Sequence, residues 1–338
     1  MLRVGMDISQ LAHFGGVNTY TRNLTDQLSK FDDLEMRYFY SSLRKPYHGR
    51  LKNVKKFKLP PTLFEMLFNR WRNVGIEKFI GLVDVFHSSD WTQPPSKAKK
   101  VTTYHDVVPL KYPQWSHPKI VAVHKRRLYL VEKEIDMVIA VSESTKKDLL
   151  EVSQIPEEKI TVIHEAATDD FKKQNKKVQE NFRKKYGLPE KYVLAIGGVG
   201  ERRNLEMIKQ ASKDYHLVIA GKTIPILETQ ELESLYASAQ VLLYASLYEG
   251  FGLPILDSFA CGVPVITSNV SSMPEIGGEA AIYVNPKNVS EIAEKLKMVM
   301  EDQDLREDLI KKGLGQVKKF SWEKAAKETV EVYRRLVQ

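Results

Sequence analysis

The sequence predicts an α/β protein: two Rossmann-like units in series, each a doubly wound parallel sheet, facing across a cleft. Three observations predict it. At 338 residues the chain exceeds the roughly 250–300 at which a single core stops growing. Short apolar runs alternate with amphipathic stretches, the pattern of a parallel sheet covered on both faces. A polar, lysine-rich stretch, residues 169–190, ends in Gly187 and Pro189, and the alternation restarts after it at Tyr192.

In the first half, LRVGMDI (2–8) reads as a buried strand, Gly15 and Gly16 as a loop, and residues 17–31 as a helix. MRYFYSS (36–42), DVFH (84–87) and VTTYH (101–105) follow as strands, the last two ending in polar residues. Residues 118–134 read as a helix and DMVIAV (136–141) as a strand. Ser142 is a good N-cap for the helix after it, and KITVI (159–163) closes the series. In the second half, YVLAIGG (192–198), HLVIAG (216–221), VLLYAS (241–246), VPVIT (263–267) and AAIYV (280–284) read as strands. Helices are expected at 204–212, 230–239, 254–260, 290–300, 304–312 and 322–336.

Composition narrows the function. Hydrophobic residues make up 43%, too many for a disordered chain. The single Cys261 excludes a disulfide framework and a thiol cluster for zinc, which suits a reducing, cytoplasmic setting. The opening residues lack a secretory pattern. The least charged stretch, residues 241–266, holds Glu249, Asp257 and several glycines and prolines, so it reads as the interior of a soluble fold. The net charge of +8 is mild, and residues 1–172, with 27 basic against 21 acidic side chains, carry +6 of it. That permits an anionic ligand or membrane surface without requiring one.

Ligands of open parallel sheets bind beyond the carboxyl ends of the strands, so those ends are the candidates. Gly15 and Gly16 precede a helix, where backbone and dipole favour an anion; a plain turn reads equally from local sequence. In GGVGERRN (197–204), glycines with Arg202 and Arg203 suit a diphosphate, against a flexible turn with solvated arginines. In EGFGLPILD (249–257), Glu249 and Asp257 flank a glycine-rich turn and suit two hydroxyl-bearing parts of one ligand. The alternative is a capping carboxylate on a surface loop, which leaves the glycines unexplained. His105, before Asp106 at a strand end, suits contact with a reacting group or a purely structural place. Asp302 and Asp304 spell a DxD pattern but read as a solvated helix junction. His117, His124 and His164 show no zinc spacing, and the lysine-arginine runs lack the aromatics of a nucleic-acid face.

Taken in order, these blocks resemble the retaining GT-B glycosyltransferases of family GT4, nearest to mannosyl- or glucosyltransferases using nucleotide sugars. The segment EGFGLPILDSFACGVPVITSNVSSMPEIGGEAAIYVNP is similar to the family's central signature. TTYHDVVPLKYP, VIAVSESTKKDLLE and FSWEKAAKETVEVYRRL are similar to other family segments. The resemblance implies an acceptor-side domain over residues 1–172, a nucleotide-sugar domain over 173–321, and a last helix, 322–338, crossing back to the first. By it, Glu249 touches donor-sugar hydroxyls, and Asp257, where the family has glutamate, binds the ribose. Arg202 and Arg203 match a basic pair whose second member is usually lysine. The amides of Gly250, Phe251, Gly252 and Leu253 meet the distal phosphate and sugar. Gly15 and Gly16 line the phosphate and acceptor side, and His105 contacts the sugar near the reacting carbon. Residues 223–229 replace a longer family segment that helps enclose the base.

The resemblance further implies retention at the anomeric carbon with no metal and no cofactor beyond the donor. The residues offer no evident covalent nucleophile, which suits a front-face reaction. The expected partners are a nucleotide-sugar donor and a glycan or lipid-linked acceptor, with no nucleic acid. The basic residues 47–61 make peripheral contact with an anionic inner membrane face an open expectation. GDP-mannose is the first guess for the donor and UDP-glucose the second. The competing readings are another GT-B enzyme, such as a nucleotide-sugar epimerase, and a non-catalytic sugar-nucleotide-binding subunit.

Overall fold

The computed structural model describes the whole chain except Phe14, Val199, Ile226 and Glu228 and the side chain of Thr229. Its contacts divide the chain into Met1–Glu165 with Trp322–Gln338, and Ala166–Ser321. In these contacts the opening stretch of the first unit ends at Glu165.

The first unit is built on seven parallel strands. They are β1 (Leu2–Asp7), β2 (Leu34–Ser41), β3 (Val54–Phe57), β4 (Val85–Ser88), β5 (Lys99–Tyr104), β6 (Met137–Ala140) and β7 (Ile160–Val162). Their spatial order is β3-β2-β1-β4-β5-β6-β7, so the direction of winding reverses between β1 and β4. The central strands are apolar along their length because helices cover both faces: Val4, Val85, Phe86, Val138 and Ile139 are fully buried. Under β2, Phe39, Phe57, Phe64, Phe68 and Phe79 pack ring against ring. The last helix, Trp322–Val337, lies along the helix Gly16–Leu28 and against β4 and β5. Its Trp322 meets Tyr20 edge-on at 5.9 Å.

The second unit has five parallel strands: β8 (Val193–Ile196), β9 (Leu217–Ala220), β10 (Val241–Tyr244), β11 (Val265–Ser268) and β12 (Ala281–Val284). Their order, β12-β11-β10-β8-β9, puts the winding reversal between β8 and β10. That gap is where a doubly wound sheet opens a crevice at its carboxyl edge. Val193, Leu243, Ile266, Ile292 and Leu296 centre the core.

Strand β3 is absent from the sequence reading, which took residues 47–61 as a basic segment. It is an edge strand with Lys55 and Lys56 exposed and only two apolar residues, so it leaves no apolar run to see. The same lysines discourage pairing with another chain at that edge. The helix expected at 304–312 runs Gln303–Gln316, with Asp302 as its N-cap: the Leu305 N–H donates to Asp302 Oδ1 at 2.9 Å. Ser142 caps as expected, accepting from the Thr145 N–H at 3.0 Å. No helix among the described residues is long and apolar enough to cross a membrane.

Two glycines separate crowding from chain entropy. A Cβ on Gly197 would sit 2.2 Å from the Ala220 carbonyl oxygen, which is backbone and cannot swing away. A Cβ on the exposed helical Gly315 would meet nothing within 4 Å. Gly197→Ala is expected to destabilise the protein by about 1–3 kcal/mol or more. Gly315→Ala should stabilise it by about 0.4–1 kcal/mol. Urea unfolding of the two variants checks both signs.

Candidate functional site

In the second unit the loops after β8 and β10 flank the winding reversal, and the two arginines meet Glu249 there. Arg203 ends a short 3-10 turn, Glu201–Arg203. Its Nη1 donates to Glu249 Oε1 at 2.6 Å and also to the Tyr244 hydroxyl. Arg202 Nη1 lies 3.5 Å from Glu249 Oε2. Each carboxylate oxygen of Glu249 thus faces a guanidinium, and the residue is 6% exposed. Burial alone would lower the Arg203 pKa, but Tyr244 and Glu249 outweigh it and hold the group charged.

The backbone around the pair is held from three sides. Asn204, in the left-handed region, donates from Nδ2 to the carbonyls of Ala245 at 2.8 Å and Pro286 at 2.6 Å. The Leu247 N–H donates to the Arg202 carbonyl at 2.8 Å, which ties the two loops together. The Glu249 N–H donates to Ser271 Oγ at 3.0 Å, and Ser272 Oγ lies 2.9 Å from the Glu249 carbonyl and 2.7 Å from that of Phe251. Gly252, at φ 109°, turns the chain into the helix Leu253–Ala260. A side chain rarely adopts that angle, so this glycine is required. Gly250, Phe251 and Leu253 are buried in the same turn.

Asp257 sits on that helix, 7% exposed, and its Oδ1 accepts the Thr168 N–H at 2.9 Å. The carboxylate expected at the ribose therefore also anchors the segment that enters this unit. Within the glycine stretch 197–204, Val199 lies outside the described residues, as do Ile226 and Glu228 of the short segment 223–229.

In the first unit Gly15, at φ 118°, is the N-cap of the helix Gly16–Leu28, and both glycines are exposed. His105 follows β5, and its Nδ1 lies 2.8 Å from Glu165 Oε1. Glu165 follows β7, so the contact spans the carboxyl end of the intervening β6. Tyr20 meets the imidazole edge-on at 4.6 Å. Burial pulls the His105 pKa down, but the Glu165 hydrogen bond and charge, with Asp90 and Asp106 adding to them, outweigh it and hold the pKa above the ordinary histidine value. The sequence reading missed Glu165; its signal is the rule used for the other candidates, a polar residue just past a strand. It also missed Tyr244, Ser271 and Ser272, whose roles depend on loop closure.

A second histidine behaves differently. His87, on β4, has Nδ1 2.6 Å from the Tyr333 hydroxyl of the last helix and Nε2 2.8 Å from Thr103 Oγ1. Burial, with the charges of His105 and Arg127, pushes its pKa down to about 3. Arg127, fully buried, donates from Nη2 to Thr102 Oγ1 at 2.6 Å and to the Thr103 carbonyl at 3.1 Å, with its guanidinium 4.1 Å from the Tyr104 ring centre.

Comparison with known proteins supplies a family. The family described as Glycosyl transferases group 1 matches residues 132–316, and Glycosyltransferase Family 4 matches residues 14–170. The chain is 28% identical, over 99% of its length and 93% of the relative's, to O-antigen chain mannosyltransferase B of Escherichia coli. In fold it is similar to sucrose-phosphate synthase from Thermosynechococcus elongatus, with a TM-score of 0.77 at 18% identity and 99% of each chain covered. It is also similar to HepE of Anabaena, solved with UDP and glucose: TM-score 0.73 at 14% identity, over 99% of this chain and all of that one. The fold is GT-B.

The two histidines set opposite pH dependences. A neutral, buried His87 binds its proton less well folded than unfolded. Its contribution is complete above about pH 6.5 and is lost as pH falls from there toward 3, at up to about 1.4 kcal/mol per pH unit. The raised pKa of His105 acts oppositely: its contribution is present below about pH 6.5 and is lost as pH rises through the folded value. His87→Gln, which keeps polar contacts but does not titrate, is expected to flatten the fall in urea stability between pH 6 and 4. An unaltered slope would count against this account.

Proposed function

The chain belongs to the group 1 glycosyltransferases, and from that premise we propose that it moves a hexosyl group from a nucleoside diphosphate sugar to the hydroxyl of a glycan or lipid-linked acceptor, with retention at the anomeric carbon and without a metal ion. The observation that carries the donor site is the meeting of Arg203, Arg202 and Glu249 at the winding reversal of the second unit. Cations at a crevice of this kind suit a diphosphate, and a carboxylate fixed between them suits sugar hydroxyls as an acceptor.

The chemistry has two electrostatic demands. As the bond from the anomeric carbon to the diphosphate oxygen breaks, negative charge grows on the leaving group. Arg202, Arg203 and the amides of Gly250, Phe251, Gly252 and Leu253 are placed to stabilise it, fixed beforehand by the hydrogen bonds around them. The carbon meanwhile becomes cationic. The acceptor oxygen bonds to it on the face the diphosphate leaves, and the acceptor proton passes to a leaving phosphate oxygen. Glu249 orients the sugar through its hydroxyls, Asp257 holds the ribose, and Gly15 and Gly16 serve the phosphate and acceptor side. His105 donates a hydrogen bond to the sugar near the reacting carbon. The mannosyltransferase relative supports a mannosyl donor, GDP-mannose before UDP-glucose.

Around residues 47–61, Arg50, Lys52, Lys55, Lys56 and Lys58 are neighboured by Leu43, 48% exposed, and Leu59, 37% exposed. Cationic side chains beside apolar ones suit an anionic membrane surface carrying a lipid-linked acceptor.

Three experiments test these readings. Glu249→Gln keeps the size and one acceptor oxygen, so circular dichroism should match the parent while transfer falls at least about 100-fold. A thermal-shift screen of nucleoside diphosphates should raise the midpoint with the donor's own base most; equal response to none of them would defeat the donor site. Separately, the protein should sediment with phosphatidylglycerol vesicles at low salt and release at high salt. Failure to sediment at any salt concentration would remove the membrane component.

A further inference from the structure

We propose that Glu165 is a positioning residue for the transfer reaction: its carboxylate holds His105 by Nδ1 and makes Nε2–H the donor that the ring presents to the substrate. The proposal rests on the reading above that His105 contacts the donor sugar.

The two histidines of the first unit show why His105 is not simply a core residue. His87 has both ring nitrogens engaged, by the Tyr333 hydroxyl and by Thr103, as a structural histidine should. His105 has one. Among the described residues, Glu165 is its hydrogen-bond partner, at Nδ1, and the ring keeps 14% of its side-chain surface exposed. Nε2 is therefore the polar atom left for a ligand. Glu165 is the reverse case: its side chain is 4% exposed, so its carboxylate is out of water and the imidazole is its charge partner.

The protonation state decides what Nε2 does. In a neutral ring whose Nδ1–H donates to the carboxylate, Nε2 carries only a lone pair. In the charged ring both nitrogens donate. The groups facing His105 favour the second state. Glu165, Asp90 and Asp106 are acidic, from the segments after β7, β4 and β5. Tyr20, from the helix Gly16–Leu28, meets the imidazole in a T-shaped contact and brings no charge. Against these stand the burial of His105 itself and the neighbouring His87, which its own burial holds neutral. A charged donor at Nε2 suits a sugar hydroxyl oxygen, or a phosphate oxygen gaining charge as the anomeric bond breaks.

The test is Glu165→Gln in the full chain. The amide is the same size and still accepts from Nδ1–H, but it carries no charge. The His105 titration midpoint, read by NMR of the ring, is expected to fall by about 1–3 pH units. The basic limb of the kcat profile should move down with it. At pH 7 kcat should fall about 10- to 100-fold, the size seen when the outer hydrogen-bond partners of metal-ligating histidines are removed, with the donor KM little changed. An unmoved titration overturns the pairing. A moved titration with an unmoved kcat profile overturns the positioning role. In the unaltered chain the midpoint should lie above the ordinary 6.5, and an ordinary or lower value overturns the proposal even if the variant fails to fold. The NMR readout needs no turnover. Absence of transfer by the unaltered chain would instead sink the transferase reading, and the positioning role with it.

Discussion

A carboxylate and two guanidiniums brought together at the one gap in a parallel sheet are the constraint on which the second unit depends. Breaking a buried charge pair by removing one partner costs about 3–5 kcal/mol, so Arg203 and Glu249 together stabilise the closure of the loops after β8 and β10. Nearly every hydrogen bond nearby serves that closure: Asn204 to Ala245 and Pro286, Leu247 to Arg202, Ser271 and Ser272 to the turn. The pair also holds Arg203 charged, with Glu249 between it and Arg202. On the proposed reading, a diphosphate arriving there would find its cations already assembled, the preorganisation that stabilises a growing negative charge.

The first unit is organised on a different principle. Its carboxyl edge carries hydroxyls and imidazoles in series: Tyr333, His87, Thr103 and Tyr20 are linked by hydrogen bonds of 2.6–2.9 Å. Arg127 lies below them, fully buried, and among the described residues it makes no ion pair with a carboxylate. Its charge is met by the Thr102 hydroxyl, the Thr103 carbonyl and the face of Tyr104. Burial, aided by that charge, keeps His87 neutral, while Glu165, Asp90 and Asp106 raise the His105 pKa above the ordinary histidine value. One unit therefore holds two histidines of opposite character: burial dominates at His87, and the Glu165 carboxylate with its acidic neighbours outweighs burial at His105.

Much of this was legible from residue order. Long apolar runs such as VLLYAS and DMVIAV predict buried parallel strands because a strand covered on both faces has no polar side to show. Gly252 is legible because Pro254 and the helix after it require a turn there. Arg203 and Glu249 were each visible as strand-end residues, but their 2.6 Å contact was not, since nothing local joins residues 46 positions apart. Glu165 is visible as a polar residue just past a strand, but its pairing is hidden for the same reason: His105 lies two strands away. Asp257 shows the limit most clearly. Its place on the helix is evident from sequence, yet its bond to the Thr168 N–H depends on how the entering segment is laid against it. Strand β3 escaped because an edge strand guarded by lysines lacks the apolar run that reveals a central one.

The last helix completes the unit that the chain starts with. Trp322 and Tyr333 are fully buried there, and Tyr333 supplies the hydroxyl that satisfies His87. On a ribosome, the whole of Ala166–Ser321 emerges before those residues exist. During translation the nascent opening sheet waits with an uncovered apolar flank and an unsatisfied imidazole while its neighbour matures. The unit begun first is thus completed last, and its apolar flank, open during that wait, is the kind of transient surface that makes folding chains prone to aggregate.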